Sequence, residues 1–214
     1  VTNNNVGVTG VSFGAKVLPI RALGKCGGLT SDISDGIVWA AGGSVPGVPT
    51  NPNPAQVINL SLGGSGSCSQ TYISAINSAR ANGATVVIAA GNSNVNASNA
   101  VPANCPGIIA VAATGPTGSK AGYSNFGNVV DVAAPGGDTS FGINGCVLST
   151  LNAGTSGPGA DNFAYYQGTS MAAPHVAGVA ALLYEVKPNA TPDEIKDAII
   201  DSARAFPGAC NQCG

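Results

Sequence analysis

Five short stretches of this chain are dominated by apolar residues rather than alternating polar and apolar positions: Ala15–Ile20, Val57–Leu60, Thr85–Ala90, Ile108–Ala113 and Val129–Ala133. Runs of that kind predict strands buried on both faces. Between them the period lengthens. Ile33, Ile37, Trp39 and Ala40 predict a helix capped by Ser31. Ile73, Ile76 and Ala79 predict a helix from Tyr72 to Asn82, stopped by Gly83. The run Val179–Val186 predicts a buried helix. Thr191-Pro192-Asp193-Glu194 is a capping box with proline in the first turn, opening a helix to about Ala203. The Gly-rich 24–30 and the Gly-Pro-Asn-rich 42–54 read as loops. Apolar strands alternating with helices predict an α/β fold in three layers, a mostly parallel sheet with helices on both faces. The 214 residues read as a single domain. In such folds ligands bind beyond the carboxyl ends of the strands. That rule puts the Gly63-Gly64 turn and Asn92 on one edge of the sheet.

Composition narrows the function classes. Only 8% of residues are charged and the net charge is −2. An electrostatic grip on nucleic acid or on an anionic membrane is not expected. No apolar run is long enough to span a bilayer. The chain starts Val1-Thr2-Asn3-Asn4-Asn5, which predicts a processed or cut product. Six cysteines with few Lys and Glu suit a secreted, extracellular protein. From where strands and loops fall, the expected pairs are Cys26 with Cys68 and Cys105 with Cys146. Cys210 and Cys213 form a CxxC that reads as a small terminal staple.

The chemistry points to Ser170, which opens the helix of Gly168-Thr169-Ser170-Met171-Ala172-Ala173-Pro174-His175-Val176-Ala177-Gly178. Unpaired backbone N–H groups and the helix dipole favour negative charge there. A serine hydroxyl at that point is suited to attack a carbonyl, while its N–H helps hold the resulting oxyanion. The plainer reading of Ser170 is a helix N-cap. Asn92, in Ala89-Ala90-Gly91-Asn92-Ser93, either closes a turn or donates its amide N–H to the same oxyanion. Gly63-Gly64-Ser65-Gly66-Ser67 lacks the lysine and the glycine register of a phosphate loop. A base is missing. His175, the only histidine, lies five residues after Ser170 and points roughly 140° around the helix from it, which makes it structural. Lys16, Lys25, Lys120, Lys187 and Lys196 carry no cue for desolvation, and Asp131 and Asp138 have no histidine to orient.

The Ser170 segment and the Asn92 segment together resemble the subtilisin-like serine proteases. The resemblance implies that Ser170 is the nucleophile and Asn92 the oxyanion donor. It implies that Ser61, Leu62, Gly63 and Gly64 pair with an extended polypeptide substrate. Ala89, Ala90 and Gly91 then wall an apolar specificity pocket on the opposite side. The Asn-rich start is similar to that family's calcium loop, with the carbonyls of Thr2, Val6 and Val8 and the side chain of Asn4 as ligands. Asp131 falls where the family can help a second, weaker cation site, and a surface salt link is the other reading of it. In subtilisins the triad order is Asp, His, Ser. The resemblance therefore implies a chain that is the latter part of a catalytic domain, with its base and carboxylate on an N-terminal fragment of the same precursor. Two other readings stay open at this point: a catalytically inactive, peptide-binding fragment of the same fold, and an unrelated doubly wound protein that binds a nucleotide.

Overall fold

A computed structural model describes residues 4–207. Its centre is a four-stranded parallel sheet, with strand order β1-β3-β5-β6. The strands are β1 (Val57–Leu60), β3 (Thr85–Ala89), β5 (Ile109–Thr114) and β6 (Val132–Pro135). Register pairs Val57 with Thr85, Val87 with Ile109, and Val111 with Val132. β2 (Gly64–Ser65) and β4 (Ala100–Val101) form a small antiparallel pair. β7 (Val147–Asn152) and β8 (Asp161–Tyr166) form a hairpin.

Two helices lie on each face. α1 (Thr30–Ala40) and α2 (Gln70–Ala81) cover one side, and α3 (Thr169–Val186) and α4 (Pro192–Ser202) the other. The alternation of side chains along β3 explains the three layers. Val86 and Ile88 pack with Ile37 and Ile76 under α1 and α2. Val87 and Ala89 pack with Val176 and Ile195 under α3 and α4. Because each residue of β3 is buried, the strand reads as a continuous apolar run.

Several expectations need correction. Ala15–Ile20 is not a strand: it runs irregularly, with Val17 88% exposed, across a cleft from β1. β1 is therefore an edge of the sheet. Ser31 is not the cap of α1: the cap position is Leu29 and makes no side-chain bond. The last strand of the sheet starts at Val132, not Val129, because Val130 packs with Ala90, Ala97 and Ala112 ahead of the strand. The hairpin β7–β8 has no counterpart in the expected elements. Cys68 bonds Cys105 across a sequence separation of 37, which overturns both expected pairs. Among the described residues Cys26 and Cys146 have no disulfide partner. Cys210 and Cys213 lie outside the described residues.

Candidate active site

All four central strands run the same way, so their carboxyl ends share one edge, and α3 starts there. Three consecutive residues each meet a different strand end. The Gly168 N–H donates to the Gly136 carbonyl, just past β6, at 2.9 Å. Thr169 Oγ1 accepts from the Gly91 N–H, just past β3, at 3.1 Å. Ser170 exchanges two bonds with Ser61, just past β1. Its hydroxyl donates to the Ser61 carbonyl at 3.3 Å, and the Ser61 hydroxyl donates to the Ser170 carbonyl at 2.9 Å. That carbonyl is available because the residue four positions on is Pro174, which has no N–H to claim it.

Gly168, not Ser170, is the N-cap, with φ +152°, a conformation that favours glycine. Ser170 is then the second helical residue. Among the described residues its N–H has no acceptor. Asn92 sits on the loop after β3. Its Oδ1 accepts from the buried Thr169 twice, from N–H at 2.8 Å and from Oγ1 at 2.9 Å. Those two donors settle which end of the amide is oxygen and turn Nδ2 the other way. A Cβ placed on Gly168 would lie 3.5 Å from Asn92 Nδ2 and 3.6 Å from the Ser170 nitrogen. Two uncommitted N–H donors therefore border one small space at a helix N-terminus, an arrangement suited to an anionic oxygen.

The family model of the subtilases matches residues 1–214. The chain belongs to the subtilase family. It is 57% identical over its full length to an extracellular protease of Xanthomonas campestris pv. campestris, covering 36% of that protein. It is 48% identical to an extracellular basic protease of Dichelobacter nodosus, with 97% of this chain and 34% of that protein covered. The chain thus spans about a third of the length of those curated relatives. A solved structure of a protease from Pseudoalteromonas arctica superposes with a TM-score of 0.96 at 61% identity, covering all of this chain and 63% of that one.

In this subtilase the expected substrate edge is partly irregular. Ser61, Leu62 and Gly63 follow β1 without regular pairing, and only Gly64 joins Ser65 in β2, opposite Val101 and Ala100. A Cβ on Gly63 would come within 3.0 Å of the Val101 carbonyl oxygen. On the facing side Gly91 is half-buried. Ala90 is fully buried, its methyl packed with Ala97, Ala112 and Val130.

The other candidate titratable side chains are already engaged. Tyr123 donates its hydroxyl to the carbonyls of Gly136 and Gly137, at 2.9 and 2.8 Å. Burial pushes its pKa up to about 12, so it is a neutral donor and not a base. His175 Nδ1–H donates to the Met171 carbonyl at 2.8 Å, with its ring in an apolar cleft beside β6. Asp131 is paired with Lys196 at 2.8 Å and accepts from the Ala110 N–H, which is the salt-link reading rather than the cation one. Hydrogen bonds from Ser140 hold the Asp138 carboxyl below its ordinary range. Among the described residues no imidazole, amine or carboxylate is bonded to Ser170 Oγ.

The expected calcium loop is described from Asn4 onward, and Thr2 lies outside the described residues. Asn4 Oδ1 accepts from the Val6 N–H at 3.2 Å, closing a tight turn. The oxygens of Asn4, Val6 and Val8 suit calcium in kind. They fall short in number and charge, since calcium takes about 6–8 oxygens and usually carboxylates. No group of acidic, histidine and cysteine side chains that could hold a metal occurs among the described residues. Thr169 went unnoticed in the sequence as the residue that orients Asn92. Its signal was adjacency to Ser170, but its bonds reach residues 77 and 78 positions away.

Proposed function

We propose that this chain supplies the nucleophile, the oxyanion site and the substrate-binding edge of a secreted serine endopeptidase. Ser170 Oγ attacks the scissile carbonyl carbon and gives its proton to a general base. The carbonyl oxygen, now negative, is held by Asn92 Nδ2 and the Ser170 N–H. Collapse expels the amine and leaves an acyl-serine, which water then hydrolyses. Loss of one such donor costs roughly 10²–10³ in kcat, a magnitude measured in subtilisin itself. Ser61–Gly64 pairs with the extended substrate main chain. With Ala90 turned into the core, the half-buried Gly91, which has no side chain, leaves room in the pocket for an apolar substrate side chain. The reading is carried by one observation: Asn92 Nδ2 and the Ser170 N–H border the same space at Gly168.

The base and its orienting carboxylate come from a segment of the protein outside these 214 residues, and the chain is the latter part of one catalytic domain. The triad order in subtilisins places that segment upstream. Two features favour it. Ser170 Oγ is bonded only to a carbonyl, at the long distance of 3.3 Å, which a base would readily outcompete. A cleft of about 150 Å³ runs along the open edge of β1, lined by Leu18, Ile20 and Ala22 on one side and by Val57 to Leu60 on the other. Ile33 and Ile37 of α1 line the same cleft, so an added strand there would have an apolar face to pack on. Alone, the chain retains at most the ~10³–10⁴ acceleration that binding and an oxyanion hole supply. The same outside segment would complete a calcium site begun by Thr2, Asn4, Val6 and Val8. Chelation would then lower the Tm of the full-length protein while leaving that of the isolated chain unchanged.

A fluorophosphonate probe tests the assignment. The full-length protein is expected to be labelled at Ser170, and the isolated chain far more slowly. A full-length protein that cleaves peptides yet is not labelled at Ser170 would refute it.

A further inference from the structure

We propose that Asn125 is a positioning residue for the oxyanion site, with Lys120 as an outer clamp on the same loop. This rests on the reading of Asn92 as an oxyanion donor. Asn92 is exposed on its loop, and among the described residues only Thr169 bonds its side chain. Its backbone is held on both sides by a single residue. The Asn125 N–H donates to the Gly91 carbonyl at 2.9 Å, and Asn125 Oδ1 accepts from the Ser93 N–H at 3.0 Å. The same Oδ1 accepts from the Val95 N–H at 3.2 Å, and Nδ2 donates to the Ala90 carbonyl at 2.9 Å. The Asn125 side chain is thus spent on the loop that carries Asn92. Gly91, with φ +104°, has no Cβ, and any side chain there would strike the Asn125 amide.

Asn125 is itself anchored. It is 3% exposed, and its neighbour Ser124 is fully buried. Ser124 Oγ accepts from the Ala113 N–H in β5 at 2.9 Å. The position of Asn92 is therefore referred to the central sheet through the 120–126 turn. Lys120 closes the outside of this arrangement. Its Nζ donates to Asn94 Oδ1 at 2.9 Å, to the Ser124 carbonyl at 3.1 Å and to the Ala121 carbonyl at 3.3 Å. It also lies 5.3 Å from the centre of the Phe126 ring. The ammonium faces neutral acceptors from both loops and ties them together. Oxyanion stabilisation depends on a donor being in place before charge develops, so a loop free to shift by about 1 Å forfeits up to roughly 10²-fold in rate.

The test is a pair of double-mutant cycles in the full-length protein, with kcat and KM read separately. Asn125→Ala is expected to lower kcat about 10–100-fold with KM within about threefold. Lys120→Met is expected to lower kcat about threefold, and Lys120→Arg to restore it. In an Asn92→Ala background each substitution should cost less than about twofold more, because the donor being positioned is already gone. Full additivity with Asn92→Ala, or a rise in KM at unchanged kcat, overturns the proposal. If Asn125→Ala does not fold, the Lys120 cycle decides by the same criterion. A Ser170→Ala protein that keeps its activity would instead overturn the underlying protease reading.

Discussion

The start of α3 and residues 4–29 are built from similar proportions of apolar residues and end up opposite in character. At α3, bonds join residues 77, 78 and 109 positions apart in the chain, and Thr169 is fully buried. In the early segment the backbone bonds are short-range, as from the Ala15 N–H to the Ser12 carbonyl and between Gly24 and Gly27. Phe13, Val17 and Leu29 are 71%, 88% and 68% exposed. Val11 and Ser12 do reach α3, where a Cβ on Gly178 would meet Val11 at 2.7 Å and the Ser12 nitrogen at 3.6 Å. The difference teaches that the start of α3, with Ser170 and Asn92, is self-supporting. The early segment has the composition of a buried element without the burial.

The contrast can be broken from the well-built side first. Replacing Cys68 and Cys105 by serine releases a loop closed across a sequence separation of 37. Chain entropy then predicts a loss of about 4 kcal/mol, read by urea unfolding of oxidised and variant protein. A loss under about 1 kcal/mol would mean that this side is no better braced than the other. Gly168→Ala comes next. It forces a Cβ into a φ of +152° and into the space shared by Asn92 Nδ2 and the Ser170 N–H. A kcat loss of roughly 10²–10³ is expected, similar to removal of a donor. Near-normal kcat would show that the space is not where the oxyanion sits.

The early segment offers the reverse experiment. If an outside segment covers it, Val17→Asp in the full-length protein buries an unpaired carboxylate and costs at least about 2 kcal/mol by denaturant titration. If Val17 is as exposed there as in this chain, the cost stays within about 0.5 kcal/mol. The second outcome would remove the sheet-edge argument for an added strand.

The same contrast explains what could be read from the chain. β1, β3 and β5 were legible because a parallel strand covered on both faces needs apolar residues throughout, and Val86, Val87 and Ile88 are fully buried. Ala15–Ile20 follows a related pattern and failed, since apolar composition makes a strand only where a neighbouring backbone offers a ladder. β7 and β8 were invisible for the opposite reason. Most of their residues are exposed, so main-chain bonding rather than burial holds them together. Ser170 and Asn92 were legible as motifs at helix and strand ends. Thr169, Asn125 and Lys120 were not, because their roles lie in bonds to residues 26 to 77 positions distant that only the folded chain brings near. The cysteine pairing failed on the same ground: proximity in three dimensions is not a property of spacing.

α4 stands between the two regions, and supplies the smallest and most local of the tests. The cap at its start is closed by neighbours in sequence, while Asp193 in the same turn accepts from Arg80 at 2.7 Å. Thr191 Oγ1 accepts from the Glu194 N–H at 3.2 Å, and Glu194 Oε2 accepts from the Thr191 N–H at 2.7 Å and from its hydroxyl at 3.0 Å. Loss of the threonine oxygen in Thr191→Ala should cost about 1 kcal/mol by thermal unfolding near neutral pH. The hydrogen bonds from Thr191 hold the Glu194 carboxyl below its ordinary pKa. A carboxylate lowered in the folded state adds stability that is complete above its unfolded pKa and is lost as pH falls through the folded one. The gap between wild type and Thr191→Ala should therefore narrow on acidification below the ordinary glutamate range. A gap that stays constant down to low pH would show that the Glu194 carboxyl is set by groups other than Thr191.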